Sequence, residues 1–246
     1  MYDTECLKSD RRLGGATLSD EVIEDAPWAD GGVGDRRTAH EFVRESLRRA
    51  ILRGDLTGGS RLIQGDLAAT LNVSTTPVRE AMRDLATEGL ITLDRNRGGT
   101  VRGLNWAEME EIRVVRQQLE PLAVRLACEH VTPEDLREAE RLWRRMEKEN
   151  DLGDWVELNM RFHVLFHRAT GISRLVGILE SLEQASGVYV AQAQRWHPEI
   201  RRKANEEHRA LLDAYGRRDV DEAITVMTGH AAMPIEMTAP EERRGG

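Results

Sequence analysis

One stretch constrains this chain more than any other: Asn72-Val-Ser-Thr-Thr-Pro-Val-Arg-Glu-Ala-Met-Arg-Asp-Leu-Ala-Thr-Glu-Gly-Leu90. Ser74, Thr75 and Thr76 offer hydroxyls to a helix N-terminus, and Pro77 suits the first turn, where its missing N–H is not needed. Val78, Met82 and Leu85 recur at helical spacing and make one face apolar. Arg79 and Arg83, four apart, share another face, and Gly89 can end the helix. Such a helix presents hydroxyls, free N–H groups and two guanidinium forks along one side and at one end. Those groups suit phosphates and guanine edges in a DNA major groove. Taken alone, the segment fits an ordinary surface helix equally well, because arginine pairs are common.

The flanks shift that balance. Gln64–Leu71 reads as a short helix with Leu67, Ala68 and Leu71 on one face, and a tight turn at Asn72-Val73 joins it to the first, in helix-turn-helix layout. Downstream, Leu90–Asp94 alternates as a strand, Arg95–Gly99 turns, and Thr100–Arg102 returns. This predicts a small two-stranded wing whose Arg95 and Arg97 lie over the sugar-phosphate backbone. Residues 38–53 predict an amphipathic helix through Phe42, Val43, Leu47, Ala50 and Ile51, ending at Gly54.

In these residues the segment resembles the winged helix-turn-helix of the GntR family of bacterial regulators. The matching features run in order: Gly54-Asp-Leu56, Gly59-Ser-Arg-Leu62, Asp66-Leu-Ala68, Val73-Ser74, Thr76-Pro-Val-Arg-Glu-Ala81, Leu85, Glu88-Gly-Leu90 and Arg97-Gly98. The resemblance implies sequence-specific DNA binding through Arg61, Ser74, Thr75, Thr76, Pro77, Arg79, Arg83, Arg95, Arg97 and Gly98. Arg61, Arg95 and Arg97 are the expected backbone contacts. Relatives often carry Arg where Gly65 and Thr75 stand here, so the operator is expected to differ from the commonest family sites.

Charge divides along the same line. The net charge of −8 is awkward for a DNA binder until it is split by region. Residues 1–35 hold three basic and nine acidic side chains, residues 36–103 twelve and eight, and residues 104–246 twenty and twenty-six. Only the helix-turn-helix segment is basic, and local charge sets attraction to phosphate. The two cysteines, Cys6 and Cys128, lie far apart, so no disulfide framework or cysteine metal site follows. No apolar run approaches about 20 residues, and the N-terminus lacks the apolar core of a signal peptide. A soluble cytoplasmic protein without membrane association is expected.

The expected organisation is an acidic, disordered tail at 1–35, a winged domain at 36–103, a helical domain at 104–237 and a flexible tail at 238–246. Asn105 can cap a helix from Trp106 to His130, with Met109, Ile112, Val115, Leu119, Leu122 and Leu126 facing inward and a kink at Pro121. Thr132-Pro-Glu-Asp135 starts another helix. Further helices are expected at 154–170, 173–195, 199–216 and 220–236, with stops at Gly171 and Gly216 and a cap at Asp219. The fold class is therefore mainly α, a winged helix-turn-helix followed by an all-α bundle. The bundle is similar to the FCD effector domain of the FadR-like branch. Arg116-Gln-Gln-Leu-Glu-Pro-Leu122, Asn159-Met-Arg-Phe-His163, Glu207-His-Arg-Ala-Leu-Leu-Asp-Ala214 and Met227-Thr-Gly-His230 carry that likeness.

Seven histidines are spread through the chain. Asn159 and His163, one turn apart, project from one helical face, while His208 and His230 fall on two later helices. By spacing alone, dispersed histidines are more often surface or packing residues. The FCD resemblance implies otherwise for Asn159, His163, His208 and His230, which match an Asp and three His that hold a divalent transition ion, Zn²⁺ or Ni²⁺, beneath the effector pocket. Asn159 departs from that pattern and brings no negative charge. His167, another turn along, can line the pocket, though its position reads more readily as surface. Arg116 can grip an effector carboxylate or form an inter-helix salt bridge.

Two functions of different class follow. The first is a homodimeric transcriptional regulator, a repressor in most relatives, that binds a palindromic operator on double-stranded DNA and responds to a small carboxylate-type effector. The second is a metal-dependent helical hydrolase with an accessory winged domain. Against it stands the absence of any His-Glu-x-x-His, His-Asp or Gly-x-Ser-x-Gly motif.

Overall fold

The computed structural model describes residues 38–94, 98–103 and 105–238. The expected tail at 1–35, residues 239–246 of the expected C-terminal tail, and the wing arginines Arg95 and Arg97 lie outside the described residues. Helix α1, Ala39–Arg53, starts at a capping box in which Thr38 and Glu41 satisfy each other's backbone N–H, and Gly54 closes it at φ 82. Strand β1 (Arg61–Ile63), helix α2 (Gln64–Thr70), helix α3 (Thr75–Thr87) and strands β2 (Ile91–Asp94) and β3 (Gly98–Val101) follow. Asn72 turns the chain between α2 and α3 at φ 52, a left-handed conformation that Asn tolerates. Val43, Leu47, Leu56, Leu62, Leu67, Val78, Met82, Leu85, Ile91 and Val101 form one buried cluster beneath α1, α2, α3 and the sheet.

The wing has three strands, not two. β3 is central, antiparallel to both neighbours, with Leu62 opposite Gly99 on one side and Leu93 opposite Gly99 on the other. β1 places a single side chain inward, Leu62, and three residues are too few for an alternation to register. Gly98 and Gly99, expected in the turn, belong to this central strand. A Cβ at Gly98 would lie 2.6 Å from the Leu62 carbonyl oxygen, and one at Gly99 2.7 Å from that of Thr92. The glycines serve close strand approach rather than chain reversal.

The remaining described elements are helices: α4 (Trp106–His130), α5 (Pro133–Met146), α6 (Leu152–Ala169), α7 (Ser173–Trp196), α8 (Glu199–Arg217) and α9 (Val220–Thr238). Asn105 caps α4 by accepting from Ala107 and Glu108, and Thr132 with Asp135 makes a capping box for α5. α4 is continuous through Pro121. Its inward row differs from the expected one. Met109 and Ile112 are buried, but Val115 and Leu122 are exposed, and Arg116, Glu120 and Ala123 take the interior positions. The buried row keeps the 3.6-residue helical period, and two of its members are charged, so an apolar template selected their neighbours instead. α8 passes its expected stop at Gly216, ending at Arg218 (φ 56), whose guanidinium donates to the Glu129 and Val131 carbonyls at 2.7 and 3.1 Å.

The helical core is built on Trp155, Phe162, Phe166, Leu211 and Tyr215, with Phe166 and Tyr215 stacked at 4.0 Å. α6 also meets the winged part. Arg49 and Arg53 of α1 pair with Asp154 and Asp151 at the start of α6, at 3.3 and 2.7 Å. Arg195 of α7 donates to the Leu52 carbonyl near the end of α1 at 3.0 Å.

Candidate functional site

Two sites of opposite character emerge. The first is the outer face of the winged part. Arg61, Ser74, Thr75, Thr76, Arg79 and Arg83 are exposed and Pro77 is half-buried. Thr75, Arg79 and Arg83 share an open groove with Gln64, Leu93 and Asp94. Among the described residues, neither Arg79 nor Arg83 has an ion-pair partner. Behind this face α1 braces α3: Arg44 and Arg48 both reach Glu88 at its C-terminal end, and His40 lies 2.8 Å from Asp84. Ser74 occupies the N-cap of α3 but makes no side-chain cap bond, so its hydroxyl stays free, contrary to the capping role expected of it. Gly98, in β3, is buried but lines the same groove as Arg79 and Arg83, where only its backbone faces the opening.

The second site is enclosed. Asn159 and His163 project from α6, His208 from α8 and His230 from α9, and all four are buried. Asn205, one turn before His208, fixes α8 by accepting from the indole N–H groups of Trp143 (3.0 Å) and Trp155 (3.2 Å). The Nε2 atoms of His163 and His230 are 3.1 Å apart, and those of His208 and His163 3.3 Å. An ion held tetrahedrally at the usual Zn–N length separates its nitrogens by about 3.3 Å, so both His163 contacts already have that spacing, and ligand atoms of all three residues lie within 4.8 Å of one another. Burial pushes the His163 and His208 pKa values well below the usual 6.5, and the neighbouring imidazoles push the same way. Both rings are therefore neutral at pH 7, the state in which they ligate. The Asn159 Oδ1 atom is buried beside them with no hydrogen-bond partner. This donor set fits a divalent transition ion.

Glu207, which the motif reading did not single out for a role, accepts from His230 Nδ1 at 2.9 Å and so turns the Nε2 lone pair toward the cluster. Arg116 lies at the cavity wall, but its guanidinium is engaged. It donates to Glu120 at 2.8 and 3.1 Å, lies 2.9 Å from Glu183, and donates to Ser186 at 3.3 Å. Burial raises the Glu120 pKa, yet Arg116 and the His167 hydrogen bond outweigh it and hold the carboxyl at about 2. His167 is not a surface residue. It continues the inward row of Asn159 and His163 and hydrogen-bonds Glu120 at 3.1 Å, a partner from another helix that spacing could not reveal. Beside the histidines is a cavity of about 40 Å³ whose wall also includes Met109, Ile112, Glu183 and Gln194.

Outward arginines on a winged helix-turn-helix, joined to a helical body with a buried histidine cluster and cavity, are the features of a DNA-binding regulator with a sensing domain. The chain belongs to the GntR family of bacterial regulators, in the branch with an FCD domain. Residues 39–101 match the family described as "Bacterial regulatory proteins, gntR family", and residues 111–233 match the "FCD domain". The chain is 31% identical over 143 residues to the HTH-type transcriptional regulator McbR of Escherichia coli K12, covering 57% of this chain and 65% of that protein. It is 30% identical over 206 residues to a "Probable D-xylose utilization operon transcriptional repressor" of Paenarthrobacter nicotinovorans, covering 83% and 90%. The solved structure of E. coli McbR/YncC superposes with a TM-score of 0.66 at 26% identity, over 81% of this chain and 96% of that one. The protein is a transcription regulator, and these comparisons give the hydrolase alternative no support. Among the described residues, no helix is long and apolar enough to cross a membrane.

Proposed function

We propose that this regulator is a homodimeric repressor of a palindromic operator, released or retained by a small carboxylate bound in the helical domain beside a divalent transition ion, Zn²⁺ or Ni²⁺. In this reading residues 36–103 bind DNA and residues 104–237 hold the effector and the dimer contact. Arg79 and Arg83 read or grip the major groove, with Arg61, Ser74, Thr75, Thr76 and Pro77 along the phosphates.

His163, His208, His230 and the Asn159 amide oxygen hold the ion, which when bound supplies a Lewis-acidic centre for a carboxylate. Glu207 keeps His230 in the tautomer that ligates. Arg116 has its charge spent on Glu120 and Glu183, so its part is to support the cavity wall rather than to be the principal anion contact.

The observation that carries the reading is the unpartnered Asn159 oxygen beside three imidazoles with ligand atoms within 4.8 Å of one another. Native mass spectrometry of protein purified without chelators tests it. One transition ion per chain is expected, with tighter retention in Asn159→Asp, where a carboxylate adds negative charge beside the cation. Protein that neither carries nor takes up Zn²⁺ or Ni²⁺ would refute it.

A further inference from the structure

Several of the buried side-chain polar atoms without a hydrogen-bond partner belong to residues that line one cavity. Asn159 Oδ1, Glu183 Oε2 and both amide atoms of Gln194 are unpartnered, and all three residues line the same cavity. Gln194, on α7, is only 5% exposed. Leaving a primary amide buried with neither end paired is costly, so native structures rarely keep one without a reason. The ion accounts for Asn159. It does not account for Gln194 or Glu183.

Their chemistry defines what would satisfy them. Glu183 is an acceptor whose Oε2 sits 2.9 Å from Arg116 Nη2 without forming an aligned hydrogen bond. Gln194 supplies one acceptor and one donor group, whichever way its amide is turned. The missing groups are therefore two donors and one acceptor. A plain carboxylate or dicarboxylate carries only acceptors at neutral pH, so it can pair the Gln194 N–H group and leaves both oxygens without a donor. A hydroxyl donates and accepts at once, so a single one meets the acceptor need and one of the two donor needs. Met109 and Ile112 give the same cavity apolar wall for a short carbon skeleton.

We propose that Gln194, assisted by Glu183, is the specificity-determining residue of the effector cavity, and that the effector is a small hydroxy acid. Its carboxylate faces the histidine cluster, and its hydroxyl accepts from the Gln194 N–H group and donates its one proton to the facing oxygen of Gln194 or Glu183. This rests on the carboxylate-effector reading above.

The test is calorimetry on the zinc-loaded full chain with two acid pairs, malate against succinate and lactate against propionate. Wild type should bind the hydroxylated member at least about tenfold tighter. A hydroxyl can also chelate the ion, so the deciding arm is Gln194→Met, which keeps length and loses both hydrogen bonds. That variant, and Gln194→Leu beside it, should lose most of the preference. Both should keep one zinc per chain and melt, without ligand, at the same temperature or a few degrees higher, because an unpaired buried amide is gone. An unchanged preference in both variants would overturn the proposal. So would loss of preference accompanied by loss of zinc and a lower melting temperature, which marks a structural residue. If zinc binds but neither member of either pair does, the carboxylate-effector reading itself fails and takes this one with it.

Discussion

The winged part and the helical part use polar residues in opposite ways. Arg61, Thr75, Arg79 and Arg83 stand exposed on a rigid apolar core, ready for a partner that brings its own charge and water. Asn159, His163, His208, Gln194 and Glu183 are buried, and several of their polar atoms have no partner within the protein. The first arrangement costs little to maintain without DNA. The second strains the fold until something enters, since unpaired buried polar groups carry desolvation penalties. A surface built to dock can be altered one residue at a time. An interior built to sense should respond as a unit.

The largest expected effect lies in that interior. His208→Ala should lose the bound ion altogether, while the variant still folds and binds operator, because the winged part contains none of the ligands. Metal analysis beside operator titration checks this, and stoichiometric metal in the variant would make the histidines packing residues. Next comes the docking surface. Arg79→Ala should cost ~1–3 kcal/mol on operator and much less on random DNA if Arg79 reads a base. Equal operator affinity would remove Arg79 from the reading set.

Acidification should also separate the two parts. The folded-state pKa values of His163 and His208 lie below the unfolded value of about 6.5, so their contribution to stability is complete above pH 6.5 and is lost as pH falls below it. For metal-free protein this predicts a loss of about 1.4 kcal/mol per pH unit for each imidazole, until the folded pKa is reached. Glu120, held at about 2, adds little to that slope above pH 5.5, where the unfolded carboxyl is already almost fully ionised. Urea titrations at pH 7.5, 6.5 and 5.5 measure it, and His163→Gln should flatten it; a flat wild-type profile would count against the buried neutral cluster. The smallest effect belongs to the junction. Asp154→Asn removes the half-exposed pair with Arg49 and should cost ~0.2–1 kcal/mol in denaturant unfolding.

The same contrast explains what could be read from the sequence. Capping residues and apolar periods mark α1, α3, α5 and α6 because those signals are local: Thr38 with Glu41, Thr132 with Asp135, and Val78, Met82 and Leu85 on one face. β1 escaped because its pairing with β3 is non-local and only Leu62 points inward. The inward row of α4 escaped because Arg116 and Glu120 occupy core positions, which their partners Glu183 and His167, from two other helices, make tolerable. The four candidate ligands were reached through family likeness, not spacing. Glu207, Glu183 and Gln194 carry no local signal of a role, since the first two act on residues of other helices, His230 and Arg116, and Gln194 faces a cavity.

Control of the exposed surface by the buried cluster is tested most directly by the operator affinity of zinc-loaded wild type and of His208→Ala, at fixed salt, with and without a saturating hydroxy acid. Coupling through the cluster predicts an acid-induced change of about fivefold or more in wild type and none in His208→Ala. The same change in both proteins, or none in wild type when calorimetry shows the acid bound, would contradict it.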